Sequence, residues 1–164
     1  MKVTYQAWTL SDQKIQFIIE TCQHYGVSNF LELGSGPSTT KLEVLFENFL
    51  SIEHLRDYAE QMNSPNIKVF PLEGGWYSIP QDTFKVKFDG LLIDGPPNYS
   101  RSLCNTREPA LFRLKRWLQS PCYIFFDDFK RNLEQIYLKN WKIYYREKLQ
   151  IIGNCKDLLL LKLD

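Results

Sequence analysis

At 164 residues, 44% hydrophobic and 24% charged, the chain has the size and composition of one ordinary globular domain, which excludes wholesale disorder. Its 20 Lys plus Arg nearly balance 19 Asp plus Glu, for a net charge of +1, so charge gives no case for a nucleic-acid or anionic-membrane partner. No stretch reaches the roughly 18 apolar residues of a membrane span, and Met1–Gln6 lacks the apolar run of a signal peptide, so a cytoplasmic protein is expected. Cys22, Cys104, Cys122 and Cys155 form no Cys-x-x-Cys pair, which argues for free thiols and against a zinc cluster.

Apolar runs of strand length alternate with helix-period segments, the pattern of an α/β domain with a mostly parallel sheet. Residues 11–25 read as a helix capped by Ser11 or Asp12, with Ile15, Ile18, Ile19 and Cys22 on one face and Gly26 as its stop. Residues 29–33 form the first strand. A helix is expected over 40–49, with Leu42, Leu45, Phe46 and Phe49 inward. A short strand over 49–52 ends at Glu53, a helix follows over 55–62, and a third strand covers 67–70. The stretch 71–82, rich in Gly, Pro and aromatics, reads as a loop.

Residues 88–93 are a buried strand ending at Asp94, cut off sharply by Gly95-Pro96-Pro97. A loop covers 98–106, and Pro109 opens a helix expected to run to about Gln119. The near-continuous apolar run 122–126 fits a central strand. A helix is expected over 129–140, with Leu133, Ile136 and Tyr137 inward. Two last strands, 142–148 and 158–163, would turn at Gly153-Asn154 as an antiparallel hairpin on one sheet edge. The basic-aromatic mixture of 139–148 reads as an edge strand with solvated lysines rather than a nucleic-acid surface. Seven strands result, and such a sheet binds ligands outside the carboxyl ends of its strands.

Four motifs fall at those ends. Glu32-Leu33-Gly34-Ser35-Gly36-Pro37-Ser38-Thr39 joins the first strand to the next helix. Gly34 permits a tight turn and Gly36 a close ligand approach, while Ser38 and Thr39 sit where helix-start amides favour an anionic group. Thr39 takes the place of the third glycine of a dinucleotide cradle, which disfavours a nicotinamide-dependent oxidoreductase. Glu53, 19 residues beyond Gly34 in Ser51-Ile52-Glu53-His54, is placed to accept ribose hydroxyls; a helix-start carboxylate is the compatible structural reading. Asp94 ends the fourth strand and should project into the crevice. Asp127-Asp128 ends the fifth, where Asp128 has the alternative of capping the next helix.

Together these motifs resemble class I S-adenosylmethionine-dependent methyltransferases across nearly the whole chain. Gly75-Trp76-Tyr77, Asp94-Gly95-Pro96-Pro97, Arg107-Glu108-Pro109-Ala110-Leu111, Asp127-Asp128 and Arg131-x-x-Glu134 with Trp141 resemble more narrowly a group of small bacterial methyltransferase-like proteins. The resemblance implies a single domain over 1–164, with an amino-terminal segment and helix over 1–28 and a core sheet over 29–164. It implies a Rossmann-like doubly wound sheet of order 3-2-1-4-5-7-6, strand 7 antiparallel and helices on both faces. It also implies that the methionine part of S-adenosylmethionine meets Glu32, Gly34, Ser35, Gly36, Ser38 and Thr39. The ribose would meet Glu53, and the adenine His54, Glu73 and Gly75. Asp94 would serve both cofactor and catalysis, the latter with Asp127, as proton acceptor beside an oriented acceptor. In the metal-dependent catechol-type enzymes, acids after strands four and five hold magnesium. Asp94, Asp127 and Asp128 match those places, with Asp128 where Asn is usual. Pro96-Pro97 departs from that pattern, so magnesium is the weaker expectation.

The expected activity is methyl transfer to the oxygen or nitrogen of a small molecule, with a non-catalytic S-adenosylmethionine-binding module or regulator as the alternative. Arg107 is open as a contact to an acidic acceptor, whereas Arg131 and Glu134 fit a helical ion pair. The acceptor pocket must come from 5–8, 71–82 and 98–106, and a second copy of the chain or a macromolecule would complete so thin a pocket.

Overall fold

A computed structural model describes residues 9–97 and 106–164; the expected pocket segments 5–8 and 98–105, with Cys104, lie outside them. The sheet and its order follow the expectation closely. In chain order the elements are α1 (Asp12–Tyr25), β1 (Asn29–Leu33), α2 (Thr39–Leu42), β2 (Asn48–Glu53), α3 (Arg56–Met62) and β3 (Ile67–Val69). A small hairpin, β4 (Leu72–Glu73) and β5 (Trp76–Tyr77), precedes β6 (Phe88–Ile93), α4 (Pro109–Leu114) and β7 (Leu118–Phe126). The chain continues through α5 (Asn132–Tyr145), β8 (Leu149–Cys155) and β9 (Leu158–Leu163). Seven strands form one sheet in the order β3-β2-β1-β6-β7-β9-β8, and β4 and β5 stand apart as a pair. Setting that hairpin aside, the order is 3-2-1-4-5-7-6, with β9 antiparallel to both neighbours.

Alternate side chains of the central strands point to two apolar layers. Leu31 and Leu33 of β1, Leu91 and Ile93 of β6 and Ile124 and Phe126 of β7 pack with Leu111, Leu114, Tyr137 and Trp141 of α4 and α5. Phe30, Leu92 and Phe125 pack on the other face with Ile15, Ile18 and Cys22 of α1. The aromatic richness is spent there: Phe46 stacks on Phe30 with centroids 4.5 Å apart, and Phe49 lies 6.2 Å away. Helix α1 matches its expected bounds, with Ser11 Oγ accepting from the Lys14 amide and Gly26 in the left-handed region at φ 68°. No described helix is long and apolar enough to cross a membrane.

Five local expectations need correction. The helix expected over 40–49 stops at Leu42 and a 3-10 turn at Glu43–Leu45. Phe46 is already extended, because Phe46 and Phe49 stack on Phe30, and Leu45 is left exposed. The helix expected to reach Gln119 ends at Leu114 and a 3-10 turn, because Leu118 already pairs with Phe88 as the start of β7. The loop at 71–82 holds the β4–β5 hairpin, turned by Gly74 and Gly75 at φ 60° and 84°, values that few side chains tolerate. The strand expected over 142–148 is the end of α5, a 3-10 turn at Arg146–Lys148 and no strand at all. The apparent alternation there is helical spacing: Tyr137, Trp141 and Tyr145 are buried, whereas Ile136 is exposed rather than inward. The last hairpin therefore starts at Leu149 and turns at residues 156–157, and Gly153 marks a register shift within β8.

Trp141 fixes α5 to α4. It is fully buried, lies 4.8 Å from the Phe126 ring and donates Nε1–H to the Glu108 carbonyl at 2.8 Å. Tyr145 donates likewise to the Leu111 carbonyl at 2.7 Å. Trp141→Ala is expected to lower the unfolding free energy by about 3–5 kcal/mol, read by urea denaturation; a loss under about 1 kcal/mol would mean that α5 docks without it.

Candidate functional site

The carboxyl ends of β1, β2, β6 and β7 converge on one cleft of about 410 Å³. Its floor is the meeting of two chain reversals. The Leu33 carbonyl accepts from the amides of Asp94 and Gly95 at 3.0 and 2.7 Å, and the Gly34 amide donates to the Ile52 carbonyl at 2.8 Å. Gly34 has φ 90°, and a Cβ there would stand 2.8 Å from the Gly95 nitrogen, so this glycine is required by the crossing of the two tips. Ser35 follows and faces the cleft.

Beneath this turn lies Glu32, fully buried. Its Oε2 accepts from Thr39 Oγ1 and Ser51 Oγ at 2.6 Å each, and Ser38 Oγ lies 3.5 Å from Oε1. Thr39 Oγ1 also accepts from the Gly36 amide at 2.9 Å. Glu32, Ser38 and Thr39 therefore brace the turn from below, and the cleft wall is Gly34 and Ser35. Burial pushes the Glu32 carboxyl up to about 7 against the pull of its three hydroxyl donors, with the Glu53 charge adding to the rise.

Glu53, at the tip of β2, is 3% exposed. Its Oε1 accepts from the amides of His54 and Leu55 at 2.7 and 2.9 Å, and its Oε2 from the Ser35 amide at 3.2 Å. The carboxylate is thereby locked between the β1 and β2 loops at the cleft edge, with acceptor capacity left on Oε2. His54 Nδ1 lies 2.7 Å from Glu53 Oε1, yet the alignment does not make a hydrogen bond, and this buried nitrogen has no hydrogen-bond partner among the described residues.

Glu73 and Gly75 belong to the exposed end of the β4–β5 hairpin and do not line the cleft. The hairpin instead contributes Tyr77, 2% exposed, whose hydroxyl also has no hydrogen-bond partner among the described residues and sits where a Cβ on Gly95 would be 2.7 Å away. Burial, with Glu53 next, raises its pKa well above the ordinary value, so the hydroxyl is a standing proton donor. Tyr58 of α3 also lines the cleft.

At the other end, Asp94, Asp127 and Asp128 meet. One oxygen of each lies within 4.8 Å of the others. Burial first, then the Asp127 charge, pushes Asp94 up to about 8, with Arg107 opposing the rise. Asp127 is also raised, by burial, against the pull of Lys14. Asp128 sits at φ 59° and caps nothing; α5 begins only at Asn132, preceded by Arg131. Arg107, left open by the sequence, lines the cleft yet is 3% exposed and tied to both strand tips. Its Nε donates to the Pro96 carbonyl at 3.1 Å, its NH1 to the Asp127 carbonyl at 3.3 Å and to Asp128 Oδ2 at 3.2 Å, and its NH2 to the Asp94 carbonyl. Arg131 NH1 turns to Asp128 Oδ2 at 2.8 Å, while Glu134 Oε1 lies 3.7 Å from Arg107 NH1; the expected Arg131–Glu134 pair is replaced by these two.

Sequence reasoning missed Lys14, Tyr58 and Tyr77. Lys14 carried a signal, since it shares a face with Ile18 and Cys22 at i, i+4, i+8. Nothing in the pattern of 71–82 marks where the Tyr77 hydroxyl ends.

No family model matches the chain, and no curated protein matches it. Solved structures do. An O-methyltransferase from Bacillus cereus in complex with SAH matches with a TM-score of 0.68 at 15% identity, over 96% of this chain and 83% of that one. The O-methyltransferase TomG from Streptomyces achromogenes, in complex with SAM, matches at 0.66 and 12% identity, over 96% and 82%. The N-methyltransferase NodS from Bradyrhizobium japonicum WM9 matches at 0.60 and 15% identity, over 98% of each chain. The fold is thus the Rossmann-like fold of class I methyltransferases.

An acid whose folded pKa of about 7 exceeds its ordinary 4.5 holds its proton more tightly when folded. Its stabilisation is full below about pH 4.5 and is lost as pH rises through about 7. Glu32→Gln is expected to flatten the fall in stability between pH 5 and 8 by on the order of 3 kcal/mol, read by urea unfolding at both pH values; an unchanged slope would show that Glu32 is charged throughout.

Proposed function

We propose that the protein transfers a methyl group from S-adenosylmethionine to an oxygen or nitrogen of a small-molecule acceptor. The observation that carries this reading is the cleft itself. A glycine turn, a locked carboxylate, a Tyr77 hydroxyl with no hydrogen-bond partner among the described residues and an acid cluster line one 410 Å³ space at four neighbouring strand tips, the size and makeup of a small-ligand site.

The cradle fits that cofactor. The Gly34–Ser35 turn would receive its amino-acid end, with the Tyr77 hydroxyl as a neutral donor beside it. Glu53 Oε2 would accept from the ribose, and His54 and Tyr58 would border the base. When bound, S-adenosylmethionine supplies an electrophilic methyl group on a cationic sulfur. The chain's own work is then to hold the acceptor in line, to exclude water and to take a proton. Orientation is the larger contribution. Asp94, raised to about 8 and part-exposed at the cleft, suits the proton acceptor, because a base works best with a pKa near the working pH. Asp127, bonded to Lys14 at 2.5 Å, suits a supporting role better than the second catalytic carboxylate expected from the sequence. A second copy of the chain is the candidate to complete the acceptor side.

Two variants test this. Glu53→Ala is expected to weaken S-adenosylmethionine by about 1–3 kcal/mol in calorimetry; equal affinity would reject Glu53 as the ribose acceptor. Asp94→Asn is expected to leave that affinity nearly intact and to lower turnover on any accepted acceptor by at least about 100-fold; undiminished turnover would remove Asp94 as the base.

A further inference from the structure

We infer that the ammonium group of Lys14 stands where the Asp94–Asp127–Asp128 cluster would otherwise take a divalent cation, so that this end of the cleft carries its own counter-charge and works without metal. The inference gives the proposed transferase its acceptor chemistry, but the occupancy of the cluster is a property of the chain alone.

Three acids offering oxygens within 4.8 Å of one another have the hard-oxygen chemistry that suits magnesium or manganese. One oxygen of each is nevertheless already faced by a cation. Lys14 Nζ lies 2.5 Å from Asp127 Oδ1 and 2.8 Å from Asp157 Oδ1. Arg107 and Arg131 bring nitrogens to 3.2 and 2.8 Å from Asp128 Oδ2, and Arg107 NH2 reaches 3.8 Å from Asp94 Oδ1. An ion bound to Asp127 Oδ1 at an ordinary magnesium–oxygen distance would sit no farther than about 4.6 Å from the Lys14 ammonium. It would face a like charge that cannot withdraw, because Lys14 is held between two carboxylates at 8% exposure on the buried face of α1.

The position of Lys14 is itself informative. A lysine is rarely so buried unless it is paired. Ile15, Ile18 and Cys22 already seat α1 on the sheet, and Lys14 turns into the cleft from that seat. A helix that needed only anchoring had no need of a charge there. The ammonium is thus a fixed point charge beside the acids of the reaction end, and the acceptors that suit it lose their proton to a side chain rather than by binding a metal.

The test is manganese binding, followed by electron paramagnetic resonance and calorimetry on the full chain with no methyl donor present. The wild type is expected to show no saturable Mn²⁺ site up to about 1 mM, the weak limit of protein calcium sites. Lys14→Met, checked for its fold by circular dichroism, is expected to gain one site at least tenfold tighter, and the double variant Lys14→Met, Asp127→Asn to lose it. A saturable wild-type site that vanishes in Asp127→Asn would overturn the inference whether or not the Lys14 variant folds. So would a folded Lys14→Met that gains nothing, which would leave Lys14 as a tie between elements only. Failure to bind S-adenosylmethionine would sink the functional reading and leave this one standing.

Discussion

The site depends on a single buried guanidinium. Arg107 spans the carbonyl ends of two neighbouring strands, taking the carbonyls of Asp94 and Pro96 after β6 and that of Asp127 after β7. A planar group with five donors is the one side chain that can satisfy so many acceptors at fixed angles. At 3% exposure it also supplies the charge that lets three carboxylates crowd together in a low-dielectric place. Without it, the Asp94 and Asp127 carbonyls would lose this donor and Asp94 the cation beside it, a cost that burial makes large.

The two ends of the cleft solve the same electrostatic problem differently. Around Glu32 the fold supplies hydroxyls and no cation, so burial prevails and the carboxyl sits near neutrality. Around Asp127 it supplies lysine, which pulls against the burial that raises that acid's pKa, and beside Asp128 it supplies arginine. Glu53 stands between: backbone amides hold it, which fixes its direction without spending a side-chain cation. The result is a slot braced by hydroxyls below the glycine turn and by lysine and arginine at its far end.

Strand tips were legible in the sequence because each is a sharp change of chemistry, from an apolar run to Gly34, Glu53, Asp94 or Asp127. The strand order itself came from the resemblance to class I methyltransferases that those tips and the antiparallel finish carry, not from the pattern alone. Helix lengths were less legible, because the apolar spacing of 40–49 serves an aromatic stack on Phe30 as well as it would serve a helix, and tertiary packing decides between them. The segment 139–148 shows the converse: Lys139-Asn140-Trp141-Lys142 alternates on paper, yet Trp141 and Tyr145 find carbonyl partners on α4 only from a helix. Spacing puts Lys14 on the buried face of α1 but names no partner for it or for Arg107, since those partners lie 113 and 20 residues away along the chain.

The strand order carries one more implication, for synthesis. β9 lies between β7 and β8, so the middle of the last three strands is the last to be made. A nascent chain that has emerged only as far as residue 155 has no template for β8 and leaves the hydrogen-bonding edge of β7 bare. Such an edge invites pairing with other chains. Sheet closure thus waits for Leu158–Leu163 to enter between β7 and β8.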